Sequence, residues 1–167
     1  QATAIGVYQI GPFAFGSSVK AIITNEQDND CVISSSTFTL LACPPDNDNP
    51  CNATVATVND NETCDILTPG TILEASDSGV ANGTCTGDAS DDVWFEFTAL
   101  NEVQLISIVN IAGGTTNLDH AVYEGTCDGL VEVYCSPNTA SITPELVVGN
   151  TYYIRVFSAG SASETST

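Results

Sequence analysis

The stretch that most limits what this chain can become is Asp91-Asp92-Val93-Trp94-Phe95-Glu96-Phe97-Thr98-Ala99. Read with a period of two, Val93, Phe95, Phe97 and Ala99 fall on one side, and Asp92, Trp94, Glu96 and Thr98 on the other. Aromatic and β-branched residues suit a half-buried pleat, so this is expected to be a strand at the centre of a β-sandwich core. Further strand patterns lie at 4–10, 19–23, 37–41, 53–58, 71–74, 103–110, 119–124, 130–135 and 151–157. Turn residues separate them: Gly11-Pro12, Asn59-Asp60-Asn61, Thr68-Pro69-Gly70, Gly113-Gly114, Asp128-Gly129 and Gly149-Asn150. The polar run Asn25-Glu26-Gln27-Asp28-Asn29-Asp30 reads as a hairpin tip. No segment holds a helical period, and the expected class is all-β.

Two regions are expected. Cys43-Pro44-Pro45-Asp46-Asn47-Asp48-Asn49-Pro50-Cys51 marks the boundary, because its prolines remove ladder donors and its Asx residues attract water. Residues 1–45 supply three strands, too few for a stable domain alone, and read as part of an immunoglobulin- or fibronectin-like module. Residues 46–167 make the sandwich.

Charge restricts the partners. Lys20 and Arg155 are the only fixed cations against 21 acids, a formal −19. Such a surface repels nucleic acid and anionic lipid, which excludes both as partners. It attracts divalent cations and suits saline water, where screening removes self-repulsion. Oxygen-rich stretches therefore give candidate Ca²⁺ ligands, first Asp46 and Asp48, then Asp88, Asp91 and Asp92. None has the EF-hand spacing. As a plainer reading, Asp91-Asp92 is a turn-and-cap device leading into the strand.

Seven cysteines without a Cys-x-x-Cys, and with His120 as the single histidine, disfavour zinc and point to disulfides formed outside the cytoplasm. No apolar run has transmembrane length, and insertion in a membrane is not expected. No initiating Met is present, so the chain is expected to be a mature or excised piece of an exported protein. Spacing leaves the connectivity open; local pairing would join Cys31 to Cys43, Cys51 to Cys64 and Cys127 to Cys135. Cys85 is then left unpaired or pairs with another chain.

No catalytic set emerges. His120 has Asp119 beside it, but neighbours on a strand point to opposite faces, so His120 reads as a surface or half-buried strand residue. Phosphate loops, a nucleophile elbow and paired glycosidase carboxylates are not recognisable. Trp94 and Tyr153 sit on the less apolar alternation of their strands and are candidate sugar-stacking residues. Against that, a lone indole in a β-domain is usually buried with its N–H bonded. Asn52-Ala53-Thr54, Asn61-Glu62-Thr63 and Asn82-Gly83-Thr84 fit the glycosylation triplet.

Five segments in order carry a resemblance: Asn47–Ala53, Thr84–Gly87, Asp91–Phe97, His120–Cys127 and Gly149–Val156. Over about residues 46–158 the chain resembles the pre-peptidase C-terminal-like β-sandwich modules of large secreted proteins of Bacteroidota. Such proteins leave the cell by the type IX route, and residues 1–45 resemble the tail of the repeat that often precedes the module. The resemblance implies an extracellular or cell-surface location. It also implies one more strand after 151–157, often with a cysteine, where this chain carries the polar run 158–167. A sandwich lacking that strand invites strand addition from neighbouring copies or modules. The leading expectation is a non-catalytic structural or adhesive module of a repetitive surface protein or filament. The alternative is a carbohydrate-binding or targeting module of a secreted hydrolase, with extracellular glycans as partners.

Overall fold

The computed structural model describes residues 12, 13, 16–25, 28–39, 43–61, 63–115 and 117–160, with the backbone alone at 24, 25 and 28–31. The chain divides into two compact units, Gln1–Ala42 and Cys43–Thr167. The expected strand at 4–10 and the Cys31 side chain lie outside what is described.

In the first unit, β1 (Ser18–Val19) pairs antiparallel with β4 (Phe38–Thr39), and β2 (Ile22–Asn25) pairs antiparallel with β3 (Asp28–Ser34). Of the polar run expected as the tip, Asn25 ends β2 and Asp28, Asn29 and Asp30 begin β3, while residues 26 and 27 lie outside what is described. Ile22 and Ile23 point to opposite faces of the β2–β3 ribbon, yet they are 61% and 71% exposed. The ribbon therefore buries neither face well.

The second unit is a β-sandwich. Its larger sheet has five strands: β5 (Thr54–Val55), β6 (Val93–Thr98), β8 (Leu118–Thr126), β9 (Gly129–Ser136) and β11 (Thr151–Ser158). They lie in the order β5-β6-β11-β8-β9. All pairings are antiparallel except β5 with β6, which is parallel. The central strand is β11; β6, expected at the centre, lies beside it. A smaller sheet pairs β7 (Leu105–Ser107) with β10 (Ala140–Ile142). The 71–74 run forms no strand, although Ile72 is buried, and the 103–110 run contracts to three residues.

Alternation decides what covers each face of the large sheet. Val93, Phe95, Phe97, Tyr152, Ile154, Val156, Leu118 and Val122 share the inner face, where they pack with Ile72, Ile106, Ile108 and Leu146. Trp94, Ala121, Tyr123 and Tyr153 share the outer face, packed with Val80, Cys85, Leu130 and Cys135. That face is covered by residues 74–92, which contain no strand. Gly70 sits where an added Cβ would fall 2.5 Å from the Phe95 ring, so only glycine lets this loop close on the inner face.

Two disulfides fasten the second unit, and neither is local. Cys51 bonds Cys127, and Cys85 bonds Cys135, closing sequence separations of 76 and 50. The expected Cys51–Cys64 and Cys127–Cys135 pairs are thus wrong, as is Cys85 as the leftover. The reason is geometric. Cys127 lies at the β8–β9 turn and Cys135 near the end of β9, so roughly 25 Å of extended strand separates them, against about 7 Å that a disulfide tolerates. Cys43 is free and exposed, and Cys64 is free and half-buried; the expected Cys31–Cys43 pair involves a side chain outside the described residues.

Candidate functional site

Two charged residues singled out by the sequence, Arg155 and Asp92, meet on the outer face, under the cover of the chain that precedes β6. Arg155, on β11, is 1% exposed, and Asp92, at the head of β6, is fully buried. Parity puts both on the outer face, and the Arg155 Nε–Asp92 Oδ2 distance is 2.6 Å. Arg155 Nη1 donates to Asn82 Oδ1 at 3.1 Å and Nη2 to the Ala89 carbonyl at 3.2 Å. The guanidinium carbon also lies 5.6 Å from the Trp94 and the Phe157 ring centroids. A buried charge needs this many partners, because an uncompensated one would cost several kcal/mol. Asp92 Oδ2 accepts further bonds from Trp94 Nε1 at 3.1 Å and from the Ser78 hydroxyl, while Oδ1 accepts the Ser78 N–H at 2.9 Å.

The same device recurs three times. Asp48 accepts both the N–H and the hydroxyl of Ser76, Asp91 those of Ser158, and Glu132 those of Thr84. Each carboxylate clamps one Ser or Thr by its main chain and side chain together. Asn47 holds Trp94 likewise, accepting its N–H at 2.8 Å and donating Nδ2 to its carbonyl at 2.8 Å. The stretch after Pro45, expected as a solvated boundary, is therefore docked on β6. Burial pushes the Asp91 carboxyl above the usual carboxylate range, against the lowering effect of the Ser158 bonds.

Of the expected calcium ligands, Asp48, Asp91 and Asp92 thus spend their oxygens on internal donors, while Asp46 and Asp88 are exposed. The structure does not gather these residues. Among the described residues the only three metal-ligating atoms within 4.8 Å of one another belong to Cys51, Cys127 and Asp128, where the two sulfurs bond each other.

Trp94, a candidate sugar-stacking residue, is 0% exposed and is a core residue. Tyr153 is half-buried beside it. His120 corrects the sequence reading in another way, because it too is fully buried. Its Nε2 lies 2.6 Å from Ser141 Oγ, which lies 2.8 Å from the Tyr134 hydroxyl. The triplet spans the sandwich from β8 and β9 to β10. Its first contact has the reach of a nucleophile–base pair, but Asp119, the nearest acid in sequence, lies on the opposite face of β8. Burial lowers the His120 pKa below its ordinary value. No signal in the sequence announces Ser141, since β10 is too short to show alternation, and the expected 130–135 strand places Tyr134 without showing what it meets across the sandwich.

The remaining large feature is a groove of about 1430 Å³ on the inner face of the sheet. Val93, Phe95, Leu118, Ile154 and Val156 line it from the sheet, with residues 56–61 and 66–72 and the chain through β7. Among the described residues its lining is mainly aliphatic and carries one acid, Asp60, and no Lys or Arg.

A family described as galactose binding domain-like, associated with type IX secretion, matches residues 46–167. The chain belongs to this family. The galactose-binding-like module thus covers the β-sandwich unit, and its secretion route and two disulfides place the protein outside the cell or on its surface. The comparisons with curated proteins and with solved structures give no match. Among the described residues no helix is long and apolar enough to cross a membrane.

Proposed function

We propose that the galactose-binding-like module is a non-catalytic structural or adhesive part of a larger, repetitive surface protein or filament, and that it holds polypeptide neighbours rather than sugar. One observation carries this reading. Every aromatic ring between residues 43 and 160 is buried or half-buried, so no flat ring is presented to solvent for stacking on a pyranose. What this unit exposes instead is aliphatic, including Leu105, Val131, Ile142 and Val147 at 52%, 60%, 69% and 61%. Leu105 and Ile142 are cross-strand partners, so their exposed side chains adjoin, and adjoining exposed apolar side chains favour protein contact. Resemblance to pre-peptidase C-terminal-like modules, which sit within long secreted chains, supports the same view.

Glycan binding is the second reading, favoured by the family's description and by Tyr153, the half-buried ring beside Trp94. A glycan array probed with wild type and Tyr153→Ala separates them. The proposal expects no saccharide signal above background from either protein. A signal lost on Tyr153→Ala, with the melting midpoint unchanged, would decide for the sugar-binding module.

A further inference from the structure

β7 is an edge. Among the described residues it pairs only with β10, and the hydrogen bonds fix which way its peptide groups point. The Gln104 carbonyl accepts from Thr143 N–H at 2.9 Å, and Ile108 N–H donates to the Thr139 carbonyl at 2.6 Å. Residues 104, 106 and 108 therefore face β10. By the alternation of an extended chain, Leu105, Ser107 and Val109 turn their N–H and C=O groups the other way. There, no described residue pairs with those groups. All three residues line the large groove.

An unpaired strand edge beside an apolar floor is complementary to one kind of molecule. From this we infer that the groove accepts an extended segment of another polypeptide, which adds to β7 as a third strand and lays alternate apolar side chains on Phe95, Ile154 and Val156. The inference rests on the protein-holding function proposed above and names its partner class. Three physical points select that occupant. The volume exceeds the roughly 300–1,000 Å³ of small-molecule pockets. The backbone edge offers ladder bonds that only an extended chain satisfies in series, while the floor supplies side-chain selectivity. Charge then sets the flanks. The one cation between residues 43 and 160 is the buried Arg155, and Asp60 lines the groove, so a strand with basic flanks is favoured. A second copy, with formal charge −19, meets like charge on approach. Residues 158–167, Ser-Ala-Gly-Ser-Ala-Ser-Glu-Thr-Ser-Thr, hold no large apolar side chain for the floor.

The test uses the whole 167-residue chain and a synthetic peptide of Val-Thr repeats bracketed by lysine pairs. The partner peptides are the same repeats bracketed by glutamates and a version with prolines at alternate positions. Fluorescence anisotropy reads binding and hydrogen exchange reads the backbone. Expected are binding of the lysine peptide, exchange slowed at least tenfold at Leu105, Ser107 and Val109, and binding at least tenfold weaker for the glutamate and proline peptides. Ser107→Pro, which removes one donor from the open edge and none from the β10 side, weakens binding at least tenfold, while Ser107→Ala does not. Unchanged exchange at these three amides in the wild type overturns the inference whatever the variants do. So does equal binding of the glutamate peptide. Concentration-dependent protection of the same amides without peptide would assign the edge to a second copy and also overturn it. A sugar bound at Tyr153 would defeat the proposed function yet leave the β7 amides exchanging freely, so the two failures are separable.

Discussion

Arg155 is the residue on which the outer face of the sandwich depends, because its side chain is 1% exposed and Asp92 is its only ionic partner among the described residues. Asp92→Ala strands that charge and frees Ser78 and the Trp94 N–H, so a loss of about 3–5 kcal/mol in urea unfolding is expected. That is a large share of the about 5–15 kcal/mol typical of a domain. Adding Arg155→Met to Asp92→Ala should cost less than the two single changes summed, since the pair leaves together; strict additivity would show that they are uncoupled. His120 gives a pH signature at the same scale. Burial lowers its pKa in the folded protein, so the unfolded chain takes up the proton first as pH falls. Its stability contribution is complete above the unfolded value of 6.5 and is lost as pH falls toward the lowered folded value. Asp91 and Asp119, raised by burial, act in the opposite sense: their folded forms bind protons first, and their contribution is lost as pH rises through the folded values. The difference in melting midpoint between wild type and His120→Gln should therefore shrink from pH 7 to pH 5. A difference that stays constant would remove His120 from the titration.

At the scale of elements, the covering of the outer face by residues 74–92 is irregular chain held by side chains, not a second sheet. The Cys85–Cys135 disulfide ties it to β9, and the Glu132–Thr84 clamp lies alongside. Replacing Cys85 and Cys135 together by alanine should lower stability by about 2–4 kcal/mol, as loops of this length usually do. A midpoint in urea equal to that of wild type would show that the clamps suffice. The strands were readable because alternation is local: 92–99, 119–124, 130–135 and 151–157 appear within about two residues of β6, β8, β9 and β11. What covers them was not, because a coil segment has no period to read. The partners of the clamps lie 28, 14, 67 and 48 residues apart, and nothing in Ser76 or Ser158 distinguishes it from the other serines. Trp94 was a half-legible case. The rule that a lone indole is buried described it correctly, whereas its place on the mixed alternation suggested exposure. The cysteine pairing contained a contradiction visible beforehand, since a strand lay between Cys127 and Cys135.

Across the whole molecule the charge is one-sided, with a formal −19 and a single cation, buried, between residues 43 and 160. Self-repulsion of this kind weakens as salt shortens the Debye length from about 30 Å at 0.01 M to about 3 Å at 1 M. The melting midpoint should therefore rise with sodium chloride. Because Asp48, Asp91 and Asp92 are committed to internal donors, calcium chloride at equal ionic strength should give the same rise. A larger calcium effect that disappears in Asp46→Asn or Asp88→Asn would establish a specific site at the exposed acids. Between residues 43 and 160 the aromatic rings and the one cation turn inward, and an aliphatic groove with a strand edge faces outward, which suits holding polypeptide. The most direct test is one hydrogen-exchange map of residues 43–160, recorded with a galactose oligosaccharide and then with the lysine-bracketed Val-Thr peptide. The account predicts protection confined to Leu105, Ser107 and Val109 with the peptide and none with the sugar; protection at Tyr153 and Glu96 with the sugar, and none at β7 with the peptide, would contradict it.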